Sequence, residues 1–514
     1  MGCREDLVER NIGRLPWIKS IFENGAVMRN FYVRGISLSA PSWQMLDTGQ
    51  HMVIRGNAEF DRNSTKVYDY LNFFPFYVGY ARSKRSDMPG VEVLDECGIP
   101  LLIDRFAPEE RYQSMQLYQR GVRWQTLGDS LKARFKRSAR QSIDESQTGF
   151  DLGGSIYEQE EKDLIAALDD PKISYLDFYT GDFDHTAHLT NDPEVQFKVL
   201  QHLDALLGRI WAAIQASPLS KDTVLTVVSD HGMNSTPGVY SQGYDLVKFL
   251  NSAEGGGNAV ITDRHPMDQY KLKGLNPFVS YVKTGDGRAT VTLDPDGNER
   301  AAIQFLPGAK NMNYPEALTK IRVRNVVQPG LGVAPVDFVA ARRPDGSVLL
   351  YGDADHQAVL EMRGGMLRYA PVSCAPGPGY PLRLYEEGAW LEGWHSEEEW
   401  FAAIYKTKYS NGLIGLAEYF RPCALAHCRE VETDLLVFAA DHWNFNVRGF
   451  NPGGNHGSFL RASTHSVFMM AGAGVPAGLS VDRPYDSLSF VPTMLPLVGR
   501  DDAGLSGAGD NMER

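Results

Sequence analysis

Twelve histidines are spread over this chain, and three of them sit with carboxylates or glycines in spacings suited to a divalent cation. Asp184-His185-Thr186-Ala187-His188 places an acid and an imidazole four residues apart, so one helical turn brings both toward a single point. Ser229-Asp230-His231-Gly232-Met233 sets an acid beside an imidazole directly after an apolar run, and Gly232 lets the backbone turn sharply away. Gly454-Asn455-His456-Gly457 holds a third imidazole between glycines. Mixed imidazole and carboxylate donors suit zinc best, with manganese or iron as alternatives. A fourth group could supply a nucleophile. In Ser37-Leu38-Ser39-Ala40-Pro41-Ser42-Trp43-Gln44-Met45-Leu46-Asp47-Thr48-Gly49, Pro41 can occupy the first turn of a helix. Ser39 then lies at the helix N-terminus, where backbone N–H groups and the dipole favour a bound anion. The alternative role for Ser39 is that of a simple N-cap.

Other pairs are weaker. Asp441-His442 also follows an apolar run, but Trp443 and Asn444 replace the small residues that let a ligand loop close, and Asp355-His356 reads as surface. The five cysteines form neither a disulfide framework nor a metal knuckle; Cys423, His427 and Cys428 are the only close group, with no partner pair to complete four ligands.

The elements that must position these residues read as alternating helices and buried strands as far as residue 235. Ile173–Tyr179 reads as one such strand, and Thr223–Val228, apolar on both faces, is expected deep in the sheet. Between them, Asn191-Asp192-Pro193-Glu194 starts a helix whose Val199, Leu203, Leu206, Ile210 and Ile214 repeat at spacings of three and four. The fold expected is α/β, a mostly parallel sheet covered by helices on both faces. Residues 1–235 and 431–514 form its core, the latter resuming with strands at Asp434–Ala440 and Ser466–Met470. Residues 236–430, punctuated by turns such as Gly255-Gly256-Gly257 and Asp294-Pro295-Asp296-Gly297, form an inserted α+β lobe that could cap the substrate.

At 514 residues the chain has room for about three domains, or one large domain with an insertion. Fractions of 43% hydrophobic, 11% aromatic and 22% charged residues exclude a disordered, collagen-like or coiled-coil chain. The net charge of −13 leaves out the generalised basic footprint of a nucleic-acid binder. No run of 18 apolar residues predicts a transmembrane helix, and the start, Met1-Gly2-Cys3-Arg4-Glu5-Asp6, is not that of a signal peptide.

Taken in order, the motifs resemble the alkaline phosphatase superfamily, and within it the type I phosphodiesterase/nucleotide pyrophosphatase branch. Ser39 before Pro41, Thr48-Gly49, Asp184 to His188, Asp230-His231-Gly232-Met233 and His456-Gly457 follow that family's sequence of motifs. The resemblance implies two divalent metal ions, one on Asp184, His188 and His456, the other on Asp230, His231 and the Ser39 oxygen. It implies that Ser39 attacks phosphorus to give a phosphoseryl intermediate that water hydrolyses, on a small phosphate ester or nucleotide. Ser42 stands where the family carries an asparagine that holds a phosphoryl oxygen. Trp43 stands where the related sulfatases carry an arginine, which favours phosphate over sulfate.

The resemblance also aligns Met1-Gly2-Cys3-Arg4-Glu5-Asp6-Leu7 with an Asp-Gly-x-Arg-x-Asp-Leu motif, with Met1 on a metal-binding aspartate. It therefore predicts a truncated start, a missing strand whose neighbours expose apolar edges, and an export signal lost with it. Alternative readings are a phosphomonoesterase or sulfatase-like hydrolase on the same fold, or a catalytically dead phosphoester-binding protein.

Overall fold

Val, Leu and Thr in succession favour an extended backbone, and Val224–Val228 forms a strand. A computed structural model describes residues 2–71, 89–113, 117–118, 120, 154–262, 281–285, 289–293, 298–325, 332–372, 375–445 and 452–500. The elements that matter for function are α1 (Ser39–Thr48), β1 (Tyr175–Asp177), α2 (Asp182–Leu189), α3 (Pro193–Ala216), β2 (Val224–Val228), β3 (Arg300–Phe305), β4 (Leu435–Ala439) and β5 (Phe468–Gly472).

The crossover from β1 through α3 to β2 follows the sequence pattern. Asp192 caps α3 by accepting from the Glu194 and Val195 N–H groups, Pro193 occupies its first turn, and Ile210 and Ile214 are buried. The pairing differs from expectation. β2 joins β5 antiparallel, β5 joins Ala26–Met28 antiparallel, and only Ala26–Met28 with Leu479–Val481 is parallel in that four-stranded sheet. The sheet is mixed because β5 enters from the end where Asp230 and His231 follow β2, reversing its direction against β2. β1 pairs in parallel with Arg111–Gln113 in a separate ladder.

Nor is β2 deep: each of its residues, like those of β1, is only half-buried. β2 is the last strand of its sheet among the described residues, and a cavity of about 600 Å³ lies between the two strands. Leu176, Leu225, Val227, Phe490 and Met494 are among its lining, so these strands present apolar surface to open space.

A second layer is a ten-stranded sheet, antiparallel throughout, that draws strands from Val260–Thr262 to Leu435–Ala439. β4, expected in the core sheet, lies here between β3 and Val336–Arg342. Both its faces are covered, Leu436 and Phe438 packing into one apolar cluster and Leu435, Val437 and Ala439 into another. Cys423 and Cys428, although the cysteines suggest no disulfide framework, form a disulfide, and His427 between them bonds Glu59 at 2.9 Å. Five residues of spacing, with Cys428 on a short helix, bring the two sulfurs together. No helix among the described residues is long and apolar enough to cross a membrane.

Candidate active site

The loops after β1 and β2 emerge at the same end because a crossover helix returns the chain to start each strand from the opposite edge. α2 follows β1 and carries Asp184 and His188 on one face, both buried. Asp230 and His231 follow β2 without an intervening residue beyond Ser229, and are 2% and 1% exposed. Gly232 is required here for approach rather than for an unusual φ, since a Cβ would stand 2.3 Å from the Ala462 carbonyl oxygen. His456, fully buried, comes from the loop that closes over both.

Asp184, His231 and His456 each offer a ligand atom within 4.8 Å of the other two. His188 Nε2 lies 3.3 Å from Asp184 Oδ2, and His231 Nε2 lies 3.3 Å from Asp230 Oδ2. The tightest trio thus draws from both of the ligand sets that the resemblance implies. Each imidazole is oriented by the backbone: Nδ1–H donates to the Gly454 carbonyl from His188 at 3.1 Å, to the Gly232 carbonyl from His231 at 2.8 Å, and to the Ser37 carbonyl from His456 at 2.7 Å. A carbonyl can only accept, so the proton is on Nδ1 and the Nε2 lone pair faces the cluster in all three.

The donors fit a cation. Asp184 Oδ1 and His456 Nε2 are buried and make no hydrogen bond, an expensive arrangement for a carboxylate and an imidazole lone pair unless something positive sits between them. Burial, with His231 adjacent, holds the His456 imidazole well below its ordinary pKa, which keeps it neutral as a ligand must be.

Ser39 begins α1. It does not cap the helix: Leu38 occupies the cap position with no side-chain bond, and Ser39 Oγ lies 3.4 Å from His231 Nε2. The helix N-terminus has fewer free donors than a helix start usually offers. Ala40 N–H is taken by Asn57 Oδ1 at 2.8 Å, Pro41 has none, and Ser42 N–H bonds the Leu38 carbonyl at 3.0 Å. An anion at Ser39 would therefore have to be balanced chiefly by a cation held in the His and Asp cluster. Ser42 is not brought to the group. It is fully buried one turn along, donating to the Ile36 carbonyl at 3.3 Å.

Gly2 stands against the cluster, its N–H 3.5 Å from Asp230 Oδ1; Met1 lies outside the described residues. His442 lies apart, 3.3 Å from Thr236 Oγ1, and His356 bonds Asp353 at the surface. The sequence pattern did not single out Ser37, whose carbonyl orients His456 and whose hydroxyl accepts from Gly457 N–H at 3.0 Å. It also missed Asn57, which holds the backbone beside Ser39. Neither carries a local signature.

Residues 99–310 match the type I phosphodiesterase/nucleotide pyrophosphatase family. The fold is similar to that of murine ectonucleotide pyrophosphatase/phosphodiesterase 5, with a TM-score of 0.50 at 14% identity over 99% of this chain and 94% of that one. No curated protein sequence matches this chain. The family match bears out the resemblance read from the motifs and, with it, the class of enzyme, a hydrolase acting on phosphoester bonds. The likeness of fold bears out an alkaline phosphatase-like α/β architecture.

Proposed function

We propose that this chain is a metal-dependent phosphodiesterase of the nucleotide pyrophosphatase type, working through a phosphoseryl intermediate on Ser39. The observation that carries the reading is the placement of Ser39 Oγ, free of any capping duty, 3.4 Å from His231 Nε2 and beside a cluster in which His231, His456 and Asp184 turn ligand atoms to within 4.8 Å of one another. Asp184, His188 and His456 would hold one divalent ion and Asp230, His231 and Ser39 the other, zinc best suiting the donors and manganese or iron also fitting. Bound there, such ions neutralise charge on the attacking and leaving oxygens of an in-line displacement.

The chain's own residues then do the following. Ser39 presents its oxygen toward His231 from the start of α1, where Asn57 holds the adjoining Ala40 N–H and so fixes the backbone beside the nucleophile. A bond forms from Ser39 Oγ to phosphorus as the bond to the leaving alcohol or phosphate breaks, and water then displaces Ser39, releasing the second product. Ser37, Gly232 and Gly454 carbonyls hold the three rings in a fixed tautomer throughout. Substrates are small phosphate diesters or nucleotides.

The test is hydrolysis of bis-p-nitrophenyl phosphate, p-nitrophenyl phosphate and p-nitrophenyl sulfate by zinc-loaded protein. Preference for the diester supports the reading. Preference for the monoester or the sulfate assigns the chain to one of the alternatives, and no turnover of any with two metals bound identifies a phosphoester-binding protein.

A further inference from the structure

Glu299 directly precedes β3, so it belongs to the antiparallel layer, yet its side chain is spent on the ligand loops. It is 2% exposed. Oε1 accepts from Asn234 Nδ2 at 2.8 Å, and Oε2 accepts from Ser458 Oγ at 2.6 Å and Ser463 Oγ at 2.7 Å. Its backbone N–H donates to the His456 carbonyl at 3.1 Å, and its own carbonyl accepts from Ala439 N–H at 2.7 Å. One buried carboxylate therefore joins the turn after β2, the His456 loop and the helical turn at Arg461.

The partners are close to the ligands in sequence. Asn234 lies three residues after His231, Ser458 two after His456, and the backbones of Asn234 and Asn455 bond each other both ways at 2.7 and 3.3 Å. Asn234 Nδ2 is also shared with Asp441 Oδ1 at 3.1 Å. A carboxylate accepting three hydrogen bonds in the interior is held rigidly, because each oxygen that loses a donor carries the cost of an unsatisfied buried charge.

We propose that Glu299 is a positioning residue for the cation site, fixing the separation of His231 and His456 through Asn234 and Ser458. This rests on the reading of Asp184, His231 and His456 as ligands. Groups that orient ligands in this way change metal affinity by about 10- to 100-fold when removed.

The test compares zinc affinity, by chelator competition, in wild type, E299Q, S458A and H456A, with the melting temperature of each metal-free protein and the kcat and KM for bis-p-nitrophenyl phosphate. E299Q should lose about tenfold or more in zinc affinity, with kcat falling, KM nearly constant and the metal-free melting temperature little changed. S458A should fall in the same direction by less, and it carries the test if E299Q does not fold. H456A should lose the metal outright. Wild-type zinc affinity in E299Q or S458A, with H456A impaired, overturns the role of Glu299 and leaves the ligand assignment standing. Wild-type affinity in H456A overturns the ligand assignment and the role of Glu299 with it.

Discussion

The His231 and His456 rings stack, their centroids 3.8 Å apart and their planes 24° from parallel, although they come from distant parts of the chain. His231 Nε2 faces Asp230 at 3.3 Å and His456 Nε2 faces Asp184 at 3.7 Å, so the stacked rings turn their nitrogens to two neighbouring carboxylates. Two cations held as proposed, one by Asp184, His188 and His456 and the other by Asp230, His231 and Ser39, would account for the arrangement. His456→Ala should therefore deplete bound metal and slow hydrolysis severely, while His442→Ala, whose ring bonds Thr236, should do neither. Metal analysis and kinetics on both variants check this, and the reverse pattern would show that the third ligand has been misassigned.

Ser39→Ala should abolish turnover, by roughly 10³-fold or more, without loss of stability. Its hydroxyl makes no cap bond, so the melting temperature should hold within the range of an ordinary surface change, about 0.5 kcal/mol. Comparable activity in the variant would remove Ser39 from the mechanism.

Gly2 has φ +58°, and a Cβ there would stand 2.4 Å from Asp184 Oδ1. Gly2→Ala must strain the backbone by about 1–2 kcal/mol or displace the Asp184 carboxylate. The expected outcome is weaker zinc binding with the remainder of the fold intact, read by chelator competition and circular dichroism. Unchanged zinc affinity would show that Asp184 is not held where a ligand must be.

Away from the site, Glu418 is fully buried and accepts from Arg34 Nε at 2.8 Å, Met52 N–H at 2.8 Å and His51 Nδ1 at 3.0 Å. Burial alone would raise its pKa, but His51, Arg34 and Arg421 hold the carboxyl well below the ordinary value. A depressed carboxyl stabilises the fold fully above the unfolded pKa of about 4.3, and that stability is lost as pH falls toward the folded value. Glu418→Gln should cost about 1–3 kcal/mol at pH 7, because Arg34 loses the Glu418 bond but keeps Asp486 and Glu397, and should flatten the acid limb of the stability curve. Denaturant melts between pH 3 and 7 measure both; a variant with wild-type acid sensitivity would show that other carboxylates govern it.

The candidate ligands on α2 were legible because a helix puts residues four apart on one face, and Asp230-His231 because a strand ends just before it. His456 was legible only through the order of motifs, since a histidine between glycines says nothing alone. β4 was misread for a physical reason: a central antiparallel strand covered on both faces carries the same continuous apolar run as a strand in a parallel core. The half-burial of β2 was likewise invisible, because Val-Leu-Thr-Val-Val records what could be buried and not what lies opposite. Glu299 and Asn57 escaped because a single carboxylate or amide has no spacing to read; their meaning comes from partners far along the chain. Ser42 looked suited to a phosphoryl oxygen by position, but on α1 it faces the Ile36 carbonyl.

The account stands most directly on the covalent step at Ser39. Zinc-loaded protein turning over bis-p-nitrophenyl phosphate should be quenched in acid, digested and mapped by mass spectrometry. The account predicts a phosphate on the peptide containing Ser39, absent from metal-stripped protein and from Ser39→Ala. Steady turnover with no phosphate on that peptide at any quench time, and with Ser39→Ala still active, would contradict it.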